Sequence, residues 1–153
     1  MGATTIWERW DGQKTDSTFQ DPGMNSFNHY AYGAIGDWMY RVVAGLETET
    51  PGYRHLRIQP QPGEHLSYAK ASFESPYGTV MSGWKKTDAG KTEFTVRIPS
   101  NADATIVLPV SDINKVTESG KPVSGNPGFS SVRVTDGRIS FKAGSGEYHF
   151  IVN

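Results

Sequence analysis

Apolar positions follow two different periods along this chain, and the change between them falls near residue 50. Over residues 24–45, MNSFNHYAYGAIGDWMYRVVAG, the residues Phe27, Ala31, Ala34, Ile35, Trp38 and Val42 recur at steps of three and four, the spacing of one helix face. The pattern predicts a helix of about 18 residues with a wide aromatic face. Ser26 or Asn28 can cap its start by accepting a backbone N–H, and Gly45 can end it in the left-handed conformation that a side chain opposes. Gly33 and Gly36 each cost about 1 kcal/mol relative to Ala in a helix interior, which points to a neighbour whose backbone comes close. The Pro-Gly of residues 48–53, TETPGY, then stops helical patterning.

From Tyr53 onward the sequence is a series of short runs rich in β-branched and aromatic residues, broken by turn chemistry. Leu56 and Ile58 alternate ahead of Gln-Pro-Gln-Pro-Gly, and Leu66, Tyr68, Ala69 and Phe73 form an extended run that stops at Ser75-Pro76. Residues 77–86 follow, with Val80 and Trp84 inward on one register, and Thr87-Asp88-Ala89-Gly90 turns the chain into the clean alternation of Phe94, Val96 and Ile98. Residues 104–108 are continuously apolar, as in a strand covered on both faces. Val132 and Val134, then Asp136-Gly137, then Ile139 and Phe141 describe a type I′ hairpin, and Tyr148, Phe150 and Val152 supply a closing strand. Residues 111–130 are the longest irregular stretch. Seven to nine strands without an intervening long helix predict a mainly β protein: an antiparallel, jelly-roll-like β-sandwich preceded by one long helix. The expected division is residues 1–47 and residues 48–153.

Composition narrows the function classes. With 153 residues there is room for one medium domain with a real core, or for a smaller domain plus an appendage. Fifteen Lys and Arg stand against 16 Asp and Glu, without a basic stripe, so nucleic acid and anionic membranes are not expected partners. The absence of Cys excludes disulfides, thiolate metal sites and a cysteine nucleophile. No apolar run approaches the ~20 residues of a membrane span, and the first five residues lack the basic and apolar regions of a signal peptide. His55, His65 and His149 lack metal-ligand spacing, so neither a metal nor another cofactor is expected. Four Trp, seven Tyr and seven Phe are the compositional outlier, and many crowd the first 40 residues, where a sugar cleft and a buried core explain them equally well.

The chemistry-bearing residues lie in that aromatic segment. Ile6-Trp7-Glu8-Arg9-Trp10-Asp11 sets a carboxylate between two indoles and beside a guanidinium. Indole walls can stack on the C–H face of a sugar while the carboxylate takes a proton from an attacking water, or Glu8 can pair with Arg9 or with backbone inside an aromatic core. Phe27-Asn28-His29-Tyr30 clusters an amide, an imidazole and a phenol near the expected helix start, where His29 can either reach into a cleft or remain a capped, solvated histidine. Asp37 and Arg41, four apart, fit a surface pair. Trp84 fits the core, or else a sugar-stacking platform.

The runs of residues 2–11 (GATTIWERWD), residues 24–33 (MNSFNHYAYG) and Val43-Ala44-Gly45 closely resemble the bacterial α-L-rhamnosidases. The resemblance covers essentially the whole chain, with its specific motifs in the first 45 residues. It implies the end of a catalytic (α/α)6 barrel followed by a C-terminal β-sandwich, and an inverting hydrolase of rhamnose-containing glycosides or polysaccharides. Within that resemblance Glu8 matches the general base and His29 a residue that hydrogen-bonds a rhamnose hydroxyl, while Trp7, Trp10 and Tyr30 shape the wall. The family's general acid has no counterpart in these residues. The abrupt aromatic start likewise suggests a piece of something larger, expected to be inactive alone and to self-associate through an uncovered helix face. The competing expectation is a free-standing carbohydrate-binding or scaffolding sandwich that uses the helix only to dock.

Overall fold

The computed structural model describes residues 2–153. Its two compact units are one running to Asp37 and one of Trp38–Asn153. Among the described residues, eleven strands form two sheets. The five-stranded sheet has the order β1 (Leu46–Thr48), β2 (His55–Ile58), β6 (Asp103–Leu108), β10 (Arg138–Ala143), β9 (Phe129–Thr135). The six-stranded sheet has the order β3 (Tyr68–Ser75), β4 (Gly78–Lys86), β5 (Thr92–Ile98), β11 (Gly146–Val152), β7 (Val116–Glu118), β8 (Lys121–Pro122). Every pairing is antiparallel except β2 with β6.

Alternation builds the core of the second unit. Leu56, Ile58, Ile106, Leu108, Ile139 and Phe141 point inward from one sheet, and Val80, Trp84, Phe94, Val96, Phe150 and Val116 from the other, all at most 3% exposed. The rings of Phe129, Phe141 and Phe150 meet at centroid separations of 5.1–5.8 Å. Burial beside Phe129 and Phe150 pushes the Tyr148 phenol above its ordinary value, and its hydroxyl donates to the Gly144 carbonyl at 3.0 Å. The Asp136-Gly137 turn has φ of 50° and 72°, both positive as a type I′ hairpin requires. The count exceeds the expected seven to nine, and three of the eleven are short: β1, β7 and β8 hold two or three residues each, the last two within the stretch expected to be irregular.

The helix is shorter than its apolar period implies. It occupies residues 30–43 as a 3₁₀ turn (Tyr30–Gly33), an α-helical turn (Ala34–Trp38) and a π-helical turn (Met39–Val43). Residues 24–29 are not helical because their backbone pairs elsewhere: Glu8 N–H donates to Ser26 O and His29 N–H to Ile6 O, each at 2.8 Å. His29 stands at the N-cap position without a side-chain cap, so neither Ser26 nor Asn28 caps the helix. The helix face is uncovered in this chain: only Val43 of the helix is buried, while Ile35 is 59% and Trp38 48% exposed. A Cβ on Gly33 or Gly36 would meet nothing within 4 Å, so the close neighbour expected there is not present.

The helix end is held tightly by the second unit. A helix leaves its last carbonyls without partners. Here the Trp84 Nε1–H donates to Val43 O at 2.8 Å and the buried Ser82 hydroxyl to Ala44 O at 2.5 Å, both from β4. Gly45 then turns the chain at φ 69°, and Gln59 N–H donates to its carbonyl at 2.8 Å. A Cβ at Gly45 would lie 2.0 Å from Pro60 N and 2.1 Å from Gln59 C, so no side chain fits.

Trp84→Phe keeps the ring but strands a buried carbonyl, and should cost about 1–3 kcal/mol. Gly45→Ala should cost more, because about 1–3 kcal/mol of left-handed strain adds to a clash with backbone. Denaturant midpoints measure both, and a Gly45→Ala protein as stable as the wild type would contradict this account.

Candidate active-site segment

The first unit is built by two facing segments, residues 5–8 and 26–29. Besides the two backbone bonds already described, the Thr5 hydroxyl donates to Phe27 O, and Ser26 N–H donates to Glu8 Oε2 at 3.2 Å. The Glu8 carboxylate is thus held by main chain and half-buried, and of the pairings weighed for it the backbone one is present. Arg9 instead grips Asp11 with two bonds, Nε to Oδ1 at 3.0 Å and Nη2 to Oδ2 at 2.9 Å. That grip pushes the Asp11 carboxyl below the usual carboxylate range and the Arg9 guanidinium above its own. Asp16 is also lowered, by hydrogen bonds from the Thr18 hydroxyl and N–H.

Aromatic rings cluster along the same two segments. Trp7 meets Phe27 edge-on at 4.6 Å and Trp10 at 6.1 Å, and Phe19 lies 6.0 Å from Phe27. Phe27 therefore belongs to this cluster rather than to a helix face. Trp10 and Tyr30 stand 72% and 91% exposed. The His29 ring is 6.0 Å from Tyr30 and 5.8 Å from Tyr32, and the Tyr32 hydroxyl donates to Glu8 O at 3.4 Å. Glu8 and His29 thus sit on adjoining segments joined through Tyr32. Tyr32 was not singled out from the sequence, although its place three residues after His29 on a helical turn is the spacing that brings two side chains together.

The remaining candidates lie elsewhere. Trp84 is 3% exposed and spends its N–H on the helix end, which makes it core rather than a sugar platform. His55 pairs with Asp103 across β2 and β6 at 2.9 Å, and His149 lies 3.7 Å from Glu93. Among the described residues, no three His, Asp or Glu side chains group as a metal site. Among the described residues, no helix is long and apolar enough to cross a membrane.

Comparison with known proteins connects these features. Residues 1–43 match the bacterial α-L-rhamnosidase six-hairpin glycosidase domain, and residues 45–122 match the bacterial α-L-rhamnosidase C-terminal domain. An α-L-rhamnosidase of Streptomyces avermitilis is 39% identical over 99% of the chain. The crystal structure of the Streptomyces avermitilis enzyme complexed with L-rhamnose superposes with a TM-score of 0.79 at 38% identity over 99% of the chain, and that of the Dictyoglumus thermophilum α-L-rhamnosidase with 0.79 at 32%, also over 99%. The chain spans 14% of the length of the first two and 16% of the third. The chain belongs to the bacterial α-L-rhamnosidase family, with the C-terminal domain as its larger part.

Phe27→Ala should remove the edge contact that shields Trp7, worth about 0.5–1.5 kcal/mol beyond area burial. The Trp7 indole N–H resonance should shift and exchange faster with water while the Trp84 resonance stays unchanged. An unmoved Trp7 signal would mean that the two rings do not pack in solution.

Proposed function

We propose that this chain supplies the general base and one sugar contact to an inverting α-L-rhamnosidase, and that it does not hydrolyse rhamnosides alone. In this reading Glu8 takes the proton of a water attacking the anomeric carbon, and His29 hydrogen-bonds a hydroxyl of the terminal rhamnose. The observation that carries it is the setting of Glu8: a half-buried carboxylate oriented by Ser26 N–H, on a residue that follows Trp7 and whose backbone carbonyl accepts from Tyr32, the ring that packs against His29. Oriented carboxylate and aromatic wall are what water activation against a sugar ring requires.

Inversion needs a second carboxyl about 6.5–9.5 Å from the first, kept protonated to serve as acid. The neighbouring acids do not suit that role. Asp11 and Asp16 are both held below the ordinary carboxylate range, so near neutral pH they carry no proton to give. The acid is assigned to parts of the enzyme other than these 153 residues. Domain roles follow in the same terms: residues 1–47 belong to the catalytic barrel and residues 48–153 form the accessory sandwich.

The same reading explains the uncovered helix. Ile35, Trp38, Met39 and Tyr40 are 45–59% exposed, and barrel helices would cover them in the full enzyme. Burying each side chain is worth about 1.5–3 kcal/mol, which favours association of the isolated chain with a second copy through the same face.

Purified chain should show no turnover of an aryl α-L-rhamnoside above background. In the intact enzyme Glu8→Gln should lower kcat by about 10²–10⁴-fold with an unchanged circular dichroism spectrum. A Glu8→Gln enzyme with near wild-type turnover would place the base elsewhere. Light scattering should find the isolated chain dimeric at high concentration and shifted toward monomer by Trp38→Glu; a monodisperse monomer would refute self-association.

A further inference from the structure

The outer face of the six-stranded sheet carries an arrangement that neither the core nor the Glu8 segment uses. The register lays one row across the face as Tyr68, Lys85 and Glu93, and the next as Lys70, Gly83 and Thr95. Gly83 breaks the second row where a side chain would otherwise stand. A glycine inside a strand weakens it and commonly marks a place where something approaches the backbone. The Lys70 stem leans over this position, its Cβ and Cγ 3.3 Å from where a Gly83 Cβ would stand, and beside it the face carries a hollow of about 450 Å³ lined by those six residues together with Ala69 and Trp84. Small-molecule sites typically run from about 300 to 1,000 Å³.

The rim chemistry is mixed. Tyr68 is 67% exposed, a flat phenol ring at the edge of the hollow. Lys70 and Lys85 bring ammonium donors, Glu93 a carboxylate acceptor and Thr95 a hydroxyl that serves as both. His149, on the next strand, lies 3.7 Å from the Glu93 carboxylate. All six rim residues belong to β3, β4 and β5, whose pairing runs unbroken between residues 68–75 and 78–85 and between residues 81–86 and 92–97, so the floor is rigid. A rigid hollow with one aromatic plane and hydrogen-bonding groups of both kinds suits a hydroxyl-rich pyranoside, which stacks its C–H face on the ring and directs its hydroxyls to the polar rim.

We propose that this face is a saccharide-binding platform, with the Tyr68 ring as stacking surface and the hollow beside Gly83, flanked by the Lys70 stem, as the seat of one sugar ring of a rhamnose-containing glycan. The saccharide class rests on the reading of the chain as part of a rhamnosidase. The platform residues are separate in sequence from those that carry Glu8 and His29.

The test is an NMR titration of the ¹⁵N-labelled 153-residue chain with L-rhamnose and with a rhamnose-containing oligosaccharide. Saturable shifts are expected at the amides of Tyr68, Gly83 and Thr95, larger for the oligosaccharide. Tyr68→Ala, at an exposed position, should raise the half-saturation concentration about tenfold and leave resonances of the core unmoved. Lys85→Ala should weaken binding in the same direction. Unchanged spectra on the outer face, or shifts there that persist unaltered in Tyr68→Ala, would overturn the platform. Shifts confined to residues 6–32 would also overturn it while leaving the role of Glu8 intact. That role fails separately, if Glu8→Gln leaves turnover in the intact enzyme unimpaired.

Discussion

Two carbonyls at the end of the helix, Val43 and Ala44, find their donors in side chains 41 and 38 residues further along the chain. Many helices end by turning a glycine and exposing the last carbonyls to water or to backbone N–H groups. Here the glycine is present, but Val43 and Ala44 are 8% and 2% exposed and the backbone of Gln59 and Pro60 crowds against Gly45. The buried hydroxyl of Ser82 and the indole of Trp84 substitute for water, and each thereby satisfies a polar atom of its own in the core. This one constraint explains why the sandwich tolerates a serine and a tryptophan N–H on the inward face of β4, and why the chain passes from helix to β1 within three residues.

The same strand shows how alternation divides labour between the faces of a sheet. Val80, Ser82 and Trp84 face inward, to the core and the helix end, while Gly83 and Lys85 face outward. Neighbouring strands then set the neighbours of each: Phe94 and Val96 pack beside the inward set, and Glu93 and Thr95 stand beside the outward one. Register couples the two faces, because a one-residue slip would exchange them entirely. The core therefore fixes the geometry of the outer face as firmly as it fixes itself.

Legibility in the sequence followed the range of the interactions. β5 and the Asp136-Gly137 hairpin were plain because alternation and turn chemistry act between near neighbours. β7 and β8 escaped because strands of two or three residues have no period to detect, and what orders them is one buried valine, Val116, pairing with the distant β11. Residues 24–29 carried a helical period yet formed no helix, because hydrogen bonds to residues 5–8 lie outside any local window. Glu8 stood out only through the motif around it. Its orientation depends on Ser26, 18 residues away, and no spacing rule announces that contact.

The central structural claim is that the helix terminus belongs to the sandwich as an integral part of its cooperative core. Native-state hydrogen exchange measures this directly. The Ala44 amide, bonded to Met39 O, and the Gln59 amide, bonded to Gly45 O, should exchange only through global unfolding, with the same free energy as amides of β4 and β5. Exchange of these two amides at a much lower free energy, while β4 and β5 stay protected, would show that the helix end merely rests on the sandwich and would contradict the account.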